Sequence, residues 1–312
     1  MRNSIRYKDL QLATLRSFCE VATHGNFTEA SRRLHLSAPT VWQQVRSLER
    51  KLQVTLVRRQ GRTVVLSAEG KLLYDLVHSH VAGLDSLVRL FEAGRSELPQ
   101  QVTIAATPYF VTYHLPQAIQ AFVTRYPAAC LNFIICSFTQ EIFRSVERGE
   151  ADIGMTVLDH DDSLPASLNY EELFSLSLTL LTVPRHPLAR KRTLTPLDLV
   201  NFPIIMPPTG GVDAPAIERL LRRHNLTDKI QVVMCTKNFD IIIRYVGLNV
   251  GIALCHVGPK ASMWMQGVHL REFDPALPKL PAVLVTRKGA HSPPQVQECL
   301  NTLRQLSSSA VP

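Results

Sequence analysis

Three closely spaced apolar repeats in the first 52 residues constrain the fold of this chain more than any other feature. Leu12, Leu15, Phe18, Cys19 and Ala22 follow the three-and-four spacing of an amphipathic helix, expected over residues 10–22. His24-Gly25-Asn26 ends it, because Gly25 tolerates a positive φ. Thr28 is placed to cap a second helix over residues 29–34, with Ala30 and Leu34 inward. Ser37 caps a third, which carries Pro39 in its first turn, where a missing N–H costs little. That helix runs to about Leu52 and buries Val41, Val45, Leu48 and Leu52. Two short helices joined tightly at His35-Leu36-Ser37 read as a helix-turn-helix. Residues 56–66 read as two short arginine-bearing strands around Gln60-Gly61, a wing.

Charge singles out the same segment. The net charge is +8, and residues 1–66 hold 12 Lys and Arg against 4 Asp and Glu, so the remaining 246 residues are neutral. A basic module on a neutral body implies a polyanion as partner. A merely solvated basic face is the alternative on charge alone. With 46% hydrophobic and 19% charged residues over 312 positions, the chain is long enough for two or three packed domains and too apolar for disorder. No apolar stretch approaches the ~20 residues of a membrane span. No apolar core follows the basic start at Met1–Asp9, so a cytoplasmic protein without a secretory signal or membrane partner is expected.

The residues resemble the LysR-type transcriptional regulators. The match is Phe27-Thr28-x-Ala30-x-x-x-Leu34-x-Leu36-Ser37-x-Pro39-Thr40-Val41, then Leu48-Glu49-x-x-Leu52, Arg59-x-x-Arg62 and Leu66-Ser67-x-x-Gly70, in order and spacing over about 45 residues. Members usually carry Gln, Ser, Gly and Phe where Ala38, Trp42, Gln53 and Val57 stand, so the family's base contacts do not transfer directly. In a helix-turn-helix the second helix enters the major groove by its N-terminal residues, here Ser37, Ala38, Pro39, Thr40, Gln43 and Gln44. Gln43 or Gln44 can bind adenine N6/N7, and Ala38 or Thr40 can touch a thymine methyl. Arg32, Arg33, Arg59 and Arg62 are expected on phosphate or in the minor groove, and Thr28 and Arg46 complete the DNA-facing set. Trp42 either packs on a neighbouring helix or lies along the DNA backbone; packing is the expectation.

Residues 68–92 contain no proline, and Leu73, Val77, Val81, Leu84, Val88 and Phe91 form a stripe suited to another helix. A helix of about 25 residues is ~37 Å long, too long to bury that stripe on a small winged module. Pairing with a second copy solves this and presents two reading helices to a two-fold-symmetric operator. Docking on the chain's own body is the alternative; the resemblance favours a homodimer, assembled further into a homotetramer. The expected divisions are residues 1–67 for the DNA-binding module, 68–95 for the linker helix and 96–312 for the body.

The body reads as α/β. Strands at 102–106, 131–136 and 153–157 alternate with helices at 108–126 and 139–148, and a second unit follows from 176 to 255. The last strand (282–286) and helix (293–306) return to the first unit. Two such lobes resemble the type 2 periplasmic binding-protein fold, with lobes of about 99–160 plus 268–312 and about 161–267. Crossovers are expected near 156–161 and 257–268. Ligands of such sheets sit at strand carboxyl ends beside helix N-termini. Thr107 and Tyr109, Ser137 and Thr139, Thr209, and Ala253 fall on such segments. The resemblance implies that a small-molecule effector, anionic or polar, binds between the lobes through hydroxyls such as Thr107, Ser137 and Thr209. Helix capping explains each hydroxyl alone equally well.

No G-x-G-x-x-G, P-loop or G-x-S-x-G occurs, and His114, His160, His224 and His256 have no evident catalytic partner. No enzyme is expected, nor any cofactor beyond the co-inducer. The resemblance adds RNA polymerase as a protein partner. The six cysteines form no C-x-x-C or zinc pattern, and reduced buried thiols are the expectation, with Cys130 and Cys136 the one candidate redox pair. A non-specific architectural DNA protein and a solute receptor with a basic appendage are the competing readings. A preferred operator site separates the regulator from the former, and the missing export signal argues against the latter.

Overall fold

A computed structural model describes residues 10–61, 63–95, 101–159, 162–208, 212–259, 261 and 265–308. Three helices open the chain: α1 (Leu12–His24), α2 (Phe27–Arg33) and α3 (Ala38–Leu52). Gly25 closes α1 at φ +60°, its N–H bonded to the Val21 carbonyl. Ser37 caps α3 by accepting from the Thr40 N–H, with proline in the first turn. At α2 the cap is Asn26, whose side chain accepts from the Thr28 N–H, so Thr28 lies inside the helix and is not its cap. Strands β1 (Val57–Gln60) and β2 (Thr63–Leu66) pair antiparallel as the wing. Phe18, Val21, Ala30, Val41, Val45, Leu48 and Leu56 form the core of this module.

Helix α4 (Ala68–Arg95) has 28 residues and is ~42 Å long at 1.5 Å per residue. Gly70 lets it approach the wing: a Cβ there would lie 2.0 Å from the Leu56 carbonyl oxygen. The expected stripe divides. Leu73, Val77 and Val81 pack into the module's own core, whereas Leu84 and Phe91 are exposed. The Val88 side chain lies outside the described set. Leu72, Leu76 and Leu87, outside that stripe, form an outward row with Leu84, and Leu72 and Leu76 are more than 60% exposed. Adjacent helix positions point about 100° apart, so a helix rich in leucine on two sides serves its own module and leaves a second apolar row.

The body is one nine-stranded sheet bent into two lobes. The first holds β3 (Gln101–Ala106), α5 (Pro108–Tyr113), α6 (Pro116–Arg125), β4 (Cys130–Ile135), α7 (Thr139–Glu147) and β5 (Ile153–Val157). The single helix expected over 108–126 is two helices, because Pro116 lacks an N–H to continue the first and instead begins the second. Strand β3 pairs parallel with β4 and β5, as a βαβαβ order requires. Next comes β6 (Leu168–Thr182), 15 residues long. The second lobe holds α8 (Pro187–Arg190), a 3-10 turn (Pro196–Asn201), β7 (Pro203–Met206), α9 (Ala214–Arg223), β8 (Gln231–Cys235), α10 (Phe239–Gly247) and β9 (Ile252–Val257). Strands β10 (His269–Glu272) and β11 (Leu280–Arg287) and helix α11 (Pro294–Ser308) finish the chain.

The lobes join differently from expectation. Residues Leu168–Leu176 of β6 pair with β11 of the first lobe, and Ser177–Leu181 pair with β9 of the second. The first crossing therefore lies inside one continuous strand, about 16 residues later than the expected 156–161. The return runs through β10, which still pairs with β6 in the second lobe, so it falls after Glu272 and not at 257–268. The first lobe's core centres on Ile104, Phe110, Phe122, Ile153, Met155 and Leu284, the second's on Leu180, Ile204, Ile217, Ile252 and Leu254. Cys130 and Cys136 bracket β4, which separates them by about 20 Å at ~3.3 Å per residue and rules out a disulfide between them. Among the described residues, no helix is long and apolar enough to cross a membrane, and no His/Cys/Asp/Glu cluster is arranged to hold a metal.

Candidate nucleic-acid interface and interlobe site

The outward face of α3 carries Pro39, Trp42, Arg46 and Arg50 at steps of three or four residues, with Gln43 beside Trp42, all exposed. Its N-terminal end is fixed locally: the Ser37 and Thr40 hydroxyls lie 2.7 Å apart and Ala38 is half-buried beside them. Gln43 projects outward, but Gln44 does not, since its amide oxygen accepts from the Ser17 hydroxyl of α1 and braces one helix on the other. Trp42 departs from expectation too. The residue is 49% exposed on the outward face and lies outside the module's core cluster. The Arg46 guanidinium stands 5.4 Å from the ring centroid and 2.8 Å from Glu49. Glu49 is buried, and its second oxygen accepts from the Leu56 and Val57 N–H groups at 2.8 and 3.2 Å. One carboxylate thus ties the wing to α3.

The arginines separate by environment. Arg59 is exposed on β1, and Arg32 is exposed beside Glu29 at 3.3 Å. Thr28 is exposed on α2. Arg33 points elsewhere: it lies 3.7 Å from Glu20 and 3.6 Å from Glu150 and donates to the Arg148 carbonyl, joining the module to the first lobe. These intramolecular partners compete with the expected phosphate contact. Arg62 lies outside the described residues.

Between the lobes, Thr107 follows β3 at the N-cap position of α5, yet its hydroxyl makes no capping bond. Ser137 is exposed after β4. The Ser137 and Phe138 N–H groups both donate to the Glu141 carboxylate, at 2.7 and 3.2 Å, so α7 supplies its own anion there. Thr139 is bonded within its lobe, 2.9 Å from the Thr156 hydroxyl and 3.3 Å from the Val157 carbonyl. Tyr109 is half-buried and links the two lobes. Its hydroxyl accepts from the Gly258 N–H at 2.9 Å, lies 3.0 Å from His114 Nε2, and its ring packs 4.8 Å from Phe239. Ala253 is fully buried inside β9, paired with Leu181 and Ile205, so it belongs to the core and not to a ligand surface. Thr209 lies outside the described residues.

Two features escaped the sequence reading. Lys237, just past β8, places its Nζ 4.4 Å from the Phe138 ring of the first lobe, bringing the carboxyl ends of β4 and β8 together. Tyr113 donates to Asp240 of α10 at 2.6 Å, a second bond between lobes. A lysine two residues beyond a strand and just before a helix was the available signal for the first. Burial holds His114 near pKa 4 and therefore neutral among these aromatic rings.

Residues 12–71 match the model of the bacterial regulatory helix-turn-helix protein, lysR family, and residues 95–308 match the LysR substrate binding domain. The Transcriptional activator protein LysR of Escherichia coli is 29% identical over 270 residues, covering 86% of this chain and 85% of its own. The Hca operon transcriptional activator HcaR of the same organism is 28% identical over 294 residues, covering 91% and 94%. A full-length OxyR variant from Pseudomonas aeruginosa superposes with TM-score 0.61 at 18% identity, over 97% of this chain and 96% of that one. CbnR complexed with its target DNA has the same fold at TM-score 0.52 and 18% identity, over 96% and 100%. Such proteins are transcriptional regulators and not enzymes. The two family models together cover nearly the whole length, and the chain belongs to the LysR family of transcriptional regulators.

Proposed function

We propose that the protein acts as a homodimer, pairing further into a tetramer, that reads a two-fold-symmetric operator with α3 in the major groove and is adjusted by an effector between the lobes. The observation that carries this is the outward face of α3, where a capped N-terminus presents Pro39, Thr40 and Gln43 away from the core. Arg59 on the wing and Arg32 on α2 bind phosphate and set register, while Gln43 reads a base edge. The protein works where its operator is, in the cytoplasm, with RNA polymerase as the partner of the bound complex.

The effector is a small anionic molecule. Lys237 is the cation at the meeting point of the two lobes, and the Thr107 hydroxyl, which caps nothing, is an available hydrogen-bond partner. Selection from random duplex DNA followed by footprinting tests the whole reading; enrichment of no sequence overturns it. Gln43→Ala reduces discrimination at one base position by about 1–3 kcal/mol. A thermal-shift screen of the full chain against organic acids finds the effector, since a ligand of the folded state raises Tm by mass action. Thr107→Val then lowers that shift and leaves operator affinity in place. Loss of DNA binding in Thr107→Val, or a normal effector response, removes Thr107 from the site.

A further inference from the structure

We propose that Trp42 determines part of the operator sequence by laying its indole against the C5-methyl edge of a thymine in the major groove. This rests on α3 being the reading helix. Trp42 lies three residues after Pro39, one before Gln43 and four before Arg46, on the face that these residues share. It is the one large apolar side chain of that face, and half its surface is open although the module's core stands immediately behind α3. An indole left outside a core that is already filled has its contact surface available for a partner.

The groove offers few apolar targets. Phosphates and sugars form its walls, and on its floor the thymine C5-methyl is the apolar group presented by a base pair. A flat, largely apolar ring that carries no charge gains there what Gln or Ser at the same place does not. Arg46 supports the placement from the protein side. Its guanidinium stacks over the ring at 5.4 Å and is itself fixed by Glu49 at 2.8 Å, so the indole is oriented before DNA arrives. A ring positioned in advance contributes more discrimination than a mobile one, because less side-chain freedom is lost on binding.

The test uses the full chain and duplexes selected from a random library. Trp264→Phe leaves Trp42 as the sole tryptophan, since the chain has two. Its emission should change on adding the selected duplex and much less with a scrambled one. Replacing thymine by uracil, one position at a time, should reveal one thymine per half-site whose methyl is worth about fourfold in affinity. That position should fall silent in Trp42→Ala. Trp42→Ala should lose about tenfold in specific affinity, keep its affinity for scrambled DNA, and leave the salt slope unchanged, because no phosphate contact is removed. Trp42→Phe should restore part of the loss. Equal uracil costs in wild type and Trp42→Ala overturn the assignment, as does a uniform loss on all DNA with a shallower salt slope, which marks a backbone contact. If Trp42→Ala does not fold, the emission change and the uracil scan on tryptophan-bearing protein decide alone. Failure of the unaltered chain to select any sequence strikes at the helix-turn-helix reading itself, and not at Trp42 in particular.

Discussion

At the scale of single residues, neighbouring side chains of the basic module meet different partners. Arg32 and Arg33 are neighbours in sequence, yet one faces solvent beside Glu29 and the other reaches Glu20, Glu150 and the Arg148 carbonyl. Nothing in residues 12–71 indicates that Glu150 of a distant helix end will be waiting for Arg33. The same holds for Gln43 and Gln44, since only the second meets Ser17. These environments make opposite forecasts. Arg59→Ala should weaken specific and non-specific DNA alike and make the salt slope shallower by about one unit, the signature of one lost phosphate contact. Arg33→Ala should leave that slope unchanged and lower thermal stability instead, because its partners are carboxylates within the protein. Binding titrations over a salt series distinguish the two. A slope change in Arg33→Ala equal to that in Arg59→Ala would place both guanidinium groups on the duplex.

At the scale of elements, legibility followed how local the determinants are. Helices α1 and α3 were readable because their caps and apolar spacing sit within a few residues; Gly25 and Ser37 act as the sequence suggests. Strand β6 was half-missed, because Glu171, Glu172 and Ser175 interrupt the apolar run before Leu176 and its first half is defined by pairing with β11, about 110 residues away. Helix α4 was readable as a helix and misread as a face. Its visible stripe splits because Leu73, Val77 and Val81 complete the winged core, a demand set by tertiary packing. The outward row of Leu72, Leu76, Leu84 and Leu87 is then the surface that the proposed dimer would bury. Leu76→Glu puts a charge into that row without touching the module's core. It should convert the dimer to monomer in sedimentation experiments, with the fold and Tm of the isolated protomer retained. It should also lower operator affinity steeply, since one reading helix remains per particle. A Leu76→Glu protein that stays dimeric assigns the contact to another face.

At the scale of the whole molecule, the module, linker helix and first lobe meet in a seam that no local pattern announces. A Cβ on Gly289 would fall 2.5 Å from the Ser79 carbonyl oxygen, and His291 donates its N–H to Ser86 at 2.9 Å. The Arg33 contacts close the same seam from the other side. Two histidines are enclosed near it. Burial first, and then the positive charge of Arg287, lowers His78 to about 4. Burial, then Arg148 and Arg33, lowers His24 to about 4. His114, between the lobes, is lowered to about 4 by burial alone. In the unfolded chain each returns to about 6.5. Because the folded values lie below the unfolded ones, the unfolded chain takes up protons first as pH falls. The contribution of the neutral histidines is therefore complete above pH 6.5 and is lost progressively down to about pH 4. Glu20 and Glu147, whose carboxyls burial pushes up, act in the opposite sense and return part of that loss at the acid end. Tm should accordingly decline on acidification from pH 6.5, well before ordinary carboxylates titrate. His78→Gln, which keeps a neutral polar group of similar size, should have a flatter decline over that window. A Tm profile for His78→Gln running parallel to wild type would mean that His78 accepts its proton as readily in the seam as in the unfolded chain.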